Sequence, residues 1–247
     1  MDSIIFYVSD SADGILAKQI AEKLHTEIVQ EIPKDALYLC FDQEGLSLCK
    51  GKLSMRGDYT QMLSRILPGK LQHEKLVKAA KIKGIGEHPT AIDATAGMGE
   101  DTLILAAAGF HILMYEKDPV ICLLLEDTLR RAAKEDKLAP IVARMQVVEG
   151  DSVTAMRACT TMPDLIYLDP MFPARTKSGL IKKKFQLLQQ LESPASDGED
   201  MLQAAISANP RKIVIKRPQK GEYLGGVKPS YSIPGKAIRY DCLLFPR

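Results

Sequence analysis

The residues of this 247-residue chain with the most specific chemistry to offer are Asp169-Pro170-Met171-Phe172. An exocyclic amine on a planar heterocycle is a poor nucleophile because its lone pair is delocalised into the ring. The Asp169 carboxylate and the Pro170 backbone carbonyl can accept the two N–H bonds of such an amine. That orients the nitrogen for in-line attack on a methyl group and stabilises the positive charge developing on it. Phe172 can stack on the ring, which must leave a helix or come from a single-stranded loop. Asp169 either removes the proton as well or leaves it to water after transfer. Asp-Pro can also be a plain turn and Phe172 a core residue, so the upstream residues decide.

A methyl donor needs its own pocket, and Asp93-Ala94-Thr95-Ala96-Gly97-Met98-Gly99-Glu100-Asp101 can begin one. Gly97 and Gly99 let the backbone turn tightly and approach a ligand. A dinucleotide fingerprint needs a third glycine three residues further on, where Thr102 stands. The carboxylates of Asp93, Glu100 and Asp101 suit a cationic sulfonium and ammonium better than a diphosphate. Asp101 is equally a candidate N-cap for the next helix, and both roles can coexist. Glu116 closes the following strand and can accept from the ribose hydroxyls, with Lys117 lining the same pocket through its backbone or stem. Asp151 can accept from an adenine amino group while the Ser152 backbone N–H donates to the ring. Three acidic strand ends at one edge of a sheet are hard to explain by packing. They predict a site for S-adenosyl-L-methionine with Asp169 at its reacting end.

The elements that must hold these residues follow from hydrophobic rhythm. Strands are expected at 91–95, 110–116, 145–149, 165–168, 212–216 and 237–245. Helices are expected at 71–83, 101–108, 119–134, 152–159, 180–191 and 201–208. This alternation predicts an α/β fold, a Rossmann-like parallel sheet with helices on both faces. Ligands of such sheets bind beyond the carboxyl ends of the strands, near the topological switch point. Residues 1–70 read as a small N-terminal α/β region, with a strand at 4–8, a helix at 12–24 and a hairpin over 36–49. Residues 71–247 form the expected catalytic domain.

The net charge of +2 conceals three basic stretches. Lys50–Lys83 holds nine Lys/Arg against two acids, Ala174–Lys184 five against none, and Arg211–Arg247 nine against two. The pattern suits a one-sided polyanion-binding surface or solvated helix faces and loops. Within it Lys177, Lys182 and Lys183, and Lys216 and Arg217 at a strand end, are candidate contacts to RNA phosphates; a solvated strand end is the alternative for the last two. The five cysteines are scattered without a Cys-x-x-Cys pair, as expected of reduced thiols in a cytoplasmic protein. The opening residues lack a basic leader and an apolar run long enough for a signal or a membrane span. His25, His73, His88 and His111 form no metal-spaced set, so no metal site is expected.

At these residues the chain resembles the bacterial 16S rRNA guanine-N2 methyltransferases of the RsmJ type. The motifs are Asp93–Asp101, Glu116-Lys117-Asp118-Pro119, Tyr167–Pro173, Lys177-Ser178 with Lys182-Lys183, and Lys216-Arg217-Pro218, covering about residues 70–220. Asp-Pro-Met-Phe also fits the (Asn/Asp)-Pro-Pro-(Tyr/Phe) pattern of amine methyltransferases, with Met171 where proline is commoner. The resemblance implies S-adenosyl-L-methionine as cofactor and a guanosine of 16S rRNA, free or in the small ribosomal subunit, as substrate. By position it implies cofactor contacts at Glu100, Asp101, Glu116, Lys117, Asp151, Ser152 and Asp169. Met62–Lys70 departs from the Gly, Arg and His-rich family segment, and Asp151 stands where some relatives have Ser. A DNA adenine or cytosine amino-methyltransferase is the nearest alternative, opposed by the lack of an obvious target-recognition domain. A NAD-dependent oxidoreductase is opposed by Thr102. A non-catalytic RNA-binding module is opposed by the retained constellation.

Overall fold

The computed structural model describes residues 4–170, 187–188, 190–191 and 198–245. Phe172, Lys177, Lys182, Lys183 and most of the expected helix at 180–191 lie outside the described residues.

The chain begins with β1 (Ile5–Val8), α1 (Gly14–Leu24), β2 (Ile28–Val29), β3 (Leu37–Asp42), β4 (Gly45–Lys50) and β5 (Leu53–Met55). A 3-10 turn at Tyr59–Met62 leads into α2 (Leu63–Ile66), and another at Leu71–His73 precedes α3 (Lys75–Ala80). Strands and helices then alternate through β6 (Thr90–Asp93), α4 (Glu100–Ala107), β7 (His111–Glu116), α5 (Pro119–Ala132), α6 (Ala139–Val142), β8 (Met145–Glu149), α7 (Ser152–Arg157) and β9 (Leu165–Leu168). The last elements are α8 (Gly198–Ser207), β10 (Lys212–Pro218), β11 (Tyr231–Pro234) and β12 (Ile238–Leu244).

The strands form two sheets. The smaller has the order β2-β1-β3-β4-β5, and the larger β11-β12-β10-β9-β6-β7-β8. In the larger sheet β10, β9, β6, β7 and β8 are parallel, while β12 runs antiparallel to β10 and β11 antiparallel to β12 at one edge. The chain proceeds outward from β6 to β8 and then returns to β6's other side with β9. The topological switch therefore lies between β6 and β9, where Asp93 pairs in register with Tyr167. All four residues of β9 are buried, as its unbroken apolar run requires of a central parallel strand.

Helices begin where side chains satisfy their first N–H groups. Asp118 accepts from Val120 and Ile121 at 2.8 and 3.0 Å, and Pro119 follows it at the first helical position of α5. The expected helix over 71–83 is instead a 3-10 turn and a six-residue α3, because Glu74 and Lys81 take extended backbone. The buried Lys212 stops α3: its Nζ donates to the carbonyls of Ala79 and Lys81 and to the Tyr231 hydroxyl. A cation at a helix C-terminus satisfies carbonyls that lack an intrahelical partner.

Apolar clusters fill both faces of the larger sheet. Leu76, Leu103, Leu105 and Ile112 lie in one, and Ile92, Ile166, Met201 and Ile213 in the other. The small sheet packs on α5, with Phe6, Leu39, Phe41 and Leu46 against Ile121 and Leu124. Buried Asp127 of α5 reinforces this junction by accepting from the Leu46 N–H at 2.9 Å and Arg131 at 2.8 Å, while Arg131 also donates to Gly57 O. Tyr59, Met62 and Ile66 belong to the first cluster of the larger sheet, so residues 59–66 pack with the residues that follow position 70. All five cysteines are thiols. No helix among the described residues is long and apolar enough to cross a membrane, and those residues contain no metal-ligand cluster.

Candidate active site

Five parallel strands bring residues at or just beyond their carboxyl ends to one edge. β6 ends in Asp93, which is 1% exposed. One of its oxygens accepts from the Thr95 N–H at 3.0 Å and the other from the Thr102 hydroxyl. Thr102, standing where a dinucleotide motif has its third glycine, thus ties α4 to the strand end. The turn between them has left-handed backbone at Gly97 (φ +51) and Gly99 (φ +71). The two glycines differ in what surrounds them. A Cβ on Gly97 would meet nothing within 4 Å, whereas one on Gly99 would lie 2.3 Å from the Tyr59 hydroxyl and 2.9 Å from Leu125. The close approach expected at Gly99 is therefore to the protein itself. Gly99→Ala is expected to lower stability by about 2–3 kcal/mol, from the left-handed φ and the displaced Tyr59. A wild-type urea midpoint would contradict this packing.

Burial pushes the Asp93 carboxyl up to about 7, against the opposing Thr102 and Thr95 hydrogen bonds and with smaller additions from the Asp101 and Asp169 charges. The unfolded chain releases this proton near pH 4. Between the two values the native state binds more protons than the unfolded state, so stability falls as pH rises through that window. Asp93→Asn is expected to remove this contribution, worth at most about 1.4 kcal/mol per pH unit. Urea midpoints that run parallel for the two proteins from acid to neutral pH would count against a protonated Asp93.

β7 ends in Glu116, whose carboxylate reaches back to the glycine turn. It accepts from Gly97 N at 3.2 Å, Lys117 N at 2.9 Å and Asp118 N at 3.0 Å. Burial raises its pKa in spite of these bonds. Lys117 is exposed beside it. Beyond β8, exposed Asp151 caps α7 by accepting from Thr154 N at 2.7 Å, a bond that lowers its pKa, while Ser152 is buried. Glu100 is exposed on the first turn of α4. Asp101 does not cap that helix. Gly99 occupies the cap position, and the Asp101 side chain turns toward β9 and β10.

There Asp101 Oδ2 accepts from the Tyr167 hydroxyl at 2.6 Å and from Lys216 Nζ at 2.7 Å. The same Nζ donates to Asp169 Oδ2 at 2.8 Å, so one ammonium bridges two carboxylates. Asp169 is also anchored through its backbone, its N–H donating to Thr95 Oγ1 at 2.7 Å, and Pro170 after it is buried. Burial raises the Asp169 carboxyl, and Lys216 pulls it back only partly. For Lys216 burial acts to lower the pKa, but the two carboxylates outweigh it and the pKa is raised. The cluster thus combines a half-buried carboxylate, fixed in direction, with a cation that cannot easily lose its proton.

For Lys216 and Arg217 the sequence leaves phosphate contact and a solvated strand end as alternatives, and in the structure each has partners within the protein. Lys216 points into the carboxylate pair, and Arg217 is buried with its Nε donating to Glu222 O at 2.8 Å. The strand end is enclosed rather than solvated. Thr95, Tyr167 and the bridging role of Lys216 escaped the sequence reading. Strand order was the missing signal: Ile215 pairs with Leu168, which sets Lys216 beside Asp169 in the next position.

The SAM_MT family model, for SAM-dependent methyltransferases, matches residues 20–245 and so includes much of the N-terminal region. The chain is 38% identical over 234 residues to ribosomal RNA small subunit methyltransferase J of Thioalkalivibrio sulfidiphilus, an alignment spanning 91% of each. It is 43% identical over 171 residues to the enzyme of that name from Pseudomonas aeruginosa, covering 68% of this chain and 65% of that one. A SAM-dependent methyltransferase from Neisseria gonorrhoeae has a similar structure, with a TM-score of 0.78 and 28% identity over 97% of this chain and 95% of the other. The chain belongs to the methyltransferase J family of S-adenosylmethionine-dependent enzymes.

Proposed function

We propose that this protein transfers a methyl group from S-adenosylmethionine to the exocyclic N2 of a guanosine in 16S rRNA. The bridge from Lys216 to Asp169 at the switch point carries this reading, because it fixes the direction of the carboxylate that must receive the amine. Bound S-adenosylmethionine supplies an electrophilic methyl on a sulfonium centre.

The residues present suit that donor. Space is open on the Gly97 side of the turn. A carboxylate has about four lone-pair sites, and three backbone N–H groups occupy three at Glu116, so one ribose hydroxyl can take the fourth. Asp151 keeps the oxygen not bonded to Thr154 for the adenine amino group, with the Ser152 N–H and the Lys117 stem alongside. Asp93, Gly99 and Asp101 act by shaping the turn and orienting Asp169, and exposed Glu100 stands at the donor's ammonium end.

On the acceptor side, Lys216 holds Oδ2 of Asp169, and Oδ1 receives one N–H of the amine. The Pro170 carbonyl receives the other, and Phe172 stacks on the base. An amine held at both hydrogens directs its lone pair along one line, which recovers much of the orientation entropy of a bimolecular step. The raised basicity of Asp169 strengthens its hydrogen bond as positive charge grows on the nitrogen. Lys177, Lys182 and Lys183 are the cations we assign to backbone phosphates. Lys216 is a positioning residue in this scheme, and Arg217 supports the strand end through Glu222.

Incubation with radiolabelled donor tests the assignment. Label should enter unmodified small-subunit RNA and not duplex DNA; label in DNA and none in RNA would overturn it.

A further inference from the structure

One strand outward from Lys216 the protein has a cavity of about 370 Å³ with a distinctly cationic wall. Arg65, Lys70, His73, Glu74 and Lys75 line one side, and Ile238 and Tyr240 of β12 the other. Three permanent cations thus face a single carboxylate, and that carboxylate is already committed. Glu74 accepts from Arg65 Nε at 2.8 Å and from its Nη2 at 2.9 Å, which orients the guanidinium and leaves Nη1 with the weak Met62 sulfur acceptor at 3.7 Å. Lys75 Nζ donates to Pro234 O at 2.7 Å, which fixes the cationic wall to the edge of the larger sheet. Lys70, just before the 3-10 turn, and His73 at its end are both exposed.

The cavity and the reacting centre share a wall. Tyr240 lies directly opposite Lys216 in the β10–β12 ladder, and directly opposed residues of antiparallel strands project to the same face. The phenol of Tyr240 is raised first by burial and then by the charge of Asp101, with Lys216, Asp169 and Arg65 also acting on it. A chain whose base sits at Asp169 can therefore pass over Tyr240 within a short span. The volume falls at the small end of ligand sites, enough for a nucleotide-sized group. Cations bind a phosphodiester, and an aromatic and an aliphatic side chain suit its sugar.

We propose that this cavity receives the backbone phosphate of an RNA residue adjoining the target guanosine. The proposal rests on the methyl-transfer reading above and supplies that site with a grip on the strand.

The test uses the full chain, unmodified small-subunit RNA and two variants: Arg65→Gln with Lys70→Ala, and Lys70→Ala alone. Lys70 is exposed, so the single variant keeps the fold if the double variant does not. For the double variant the KM for RNA should rise about tenfold or more, and the slope of log affinity against log salt should fall by about one to two. The single variant should show a smaller change of the same kind. The kcat at saturating RNA and the affinity for S-adenosylmethionine should match wild type in both. Wild-type KM for RNA and wild-type salt slopes in both variants would overturn the phosphate site while leaving the functional reading intact. Weakened donor binding with unchanged RNA binding would also overturn it, by placing the donor in the cavity. If the wild-type protein transfers no methyl group to RNA, both readings fail together.

Discussion

Asp169→Ala is expected to lower kcat by a factor of roughly 10²–10⁴ while binding of S-adenosylmethionine survives in part. The size follows from what the side chain is positioned to do. It is the acceptor whose hydrogen bond strengthens as the amine nitrogen becomes cationic, so its removal is felt in the transition state more than in the bound ground state. The kcat and kcat/KM should therefore fall together. The fold should survive, because Lys216 keeps Asp101 as a partner and the Asp169 backbone N–H keeps Thr95. Steady-state kinetics with calorimetric donor binding measures both quantities. Near-normal turnover in the variant would show that the amine is held elsewhere.

Lys216→Met is expected to be the most damaging change outside the reacting residues, acting on pH dependence and on stability. Lys216 Nζ stands within 2.8 Å of a carboxylate oxygen on both Asp101 and Asp169. Without it two negative groups face each other in a site that already penalises charge. Burial raises the Asp169 carboxyl and Lys216 is what holds it down, so removing the cation must raise it further. Activity that needs the ionised carboxylate is lost as pH falls through its pKa. The acid limb of kcat should therefore move to higher pH, by about one unit or more.

Stability follows the same sign. A carboxyl with a folded pKa above its unfolded value is destabilising once ionised, so the variant's deficit should grow as pH rises from about 4 and shrink in acid. At neutral pH we expect about 2 kcal/mol, below the cost of breaking a fully buried pair. The discount reflects side chains that stay 20–33% exposed. Lys216→Arg should restore much of the stability and return the acid limb toward its original position. An unmoved acid limb in Lys216→Met would remove Lys216 from the positioning of Asp169.

What could be read from the sequence has a physical pattern. The parallel sheet was legible because its strands are largely apolar runs, three of them ended by an acid at 93, 116 or 169, and because Asp118 and Pro119 mark the start of a long amphipathic helix. The short edge strands Leu53–Met55 and Tyr231–Pro234 were not, since they bury little and the second ends in proline. The helix expected over 71–83 failed for a tertiary reason: the Lys212 ammonium, some 130 residues downstream, takes the carbonyls at its end. Local periodicity carries no trace of that contact.

The site divides in the same way. Asp93, Glu116, Asp151 and Asp169 were legible as strand ends, because position on a strand fixes the edge where a residue emerges. Their hydrogen bonds were not. Glu116 accepts from Gly97 of the glycine turn and from the two residues that follow it, Asp151 caps a helix, and Asp101 leaves its own helix N-terminus for Lys216. The Asp151 cap is local, but the bond of Glu116 to Gly97 and that of Asp101 to Lys216 depend on which strands are neighbours, and the chain's return from β8 to β9 across β6 is a topological fact. The same fact sets Lys216, a candidate phosphate contact in the sequence, between Asp101 and Asp169.

The most direct experiment supplies the protein with unmodified 16S rRNA, free and assembled in the small subunit, and S-adenosylmethionine carrying an isotopically labelled methyl group. Nuclease digestion and mass spectrometry then locate the label. A single N2-methylguanosine, abolished by Asp169→Ala, is the outcome expected if Asp169 and the Pro170 carbonyl hold the amine. Label on another base or another atom of guanine, or RNA left unlabelled in both forms by an enzyme that binds the donor, would contradict it.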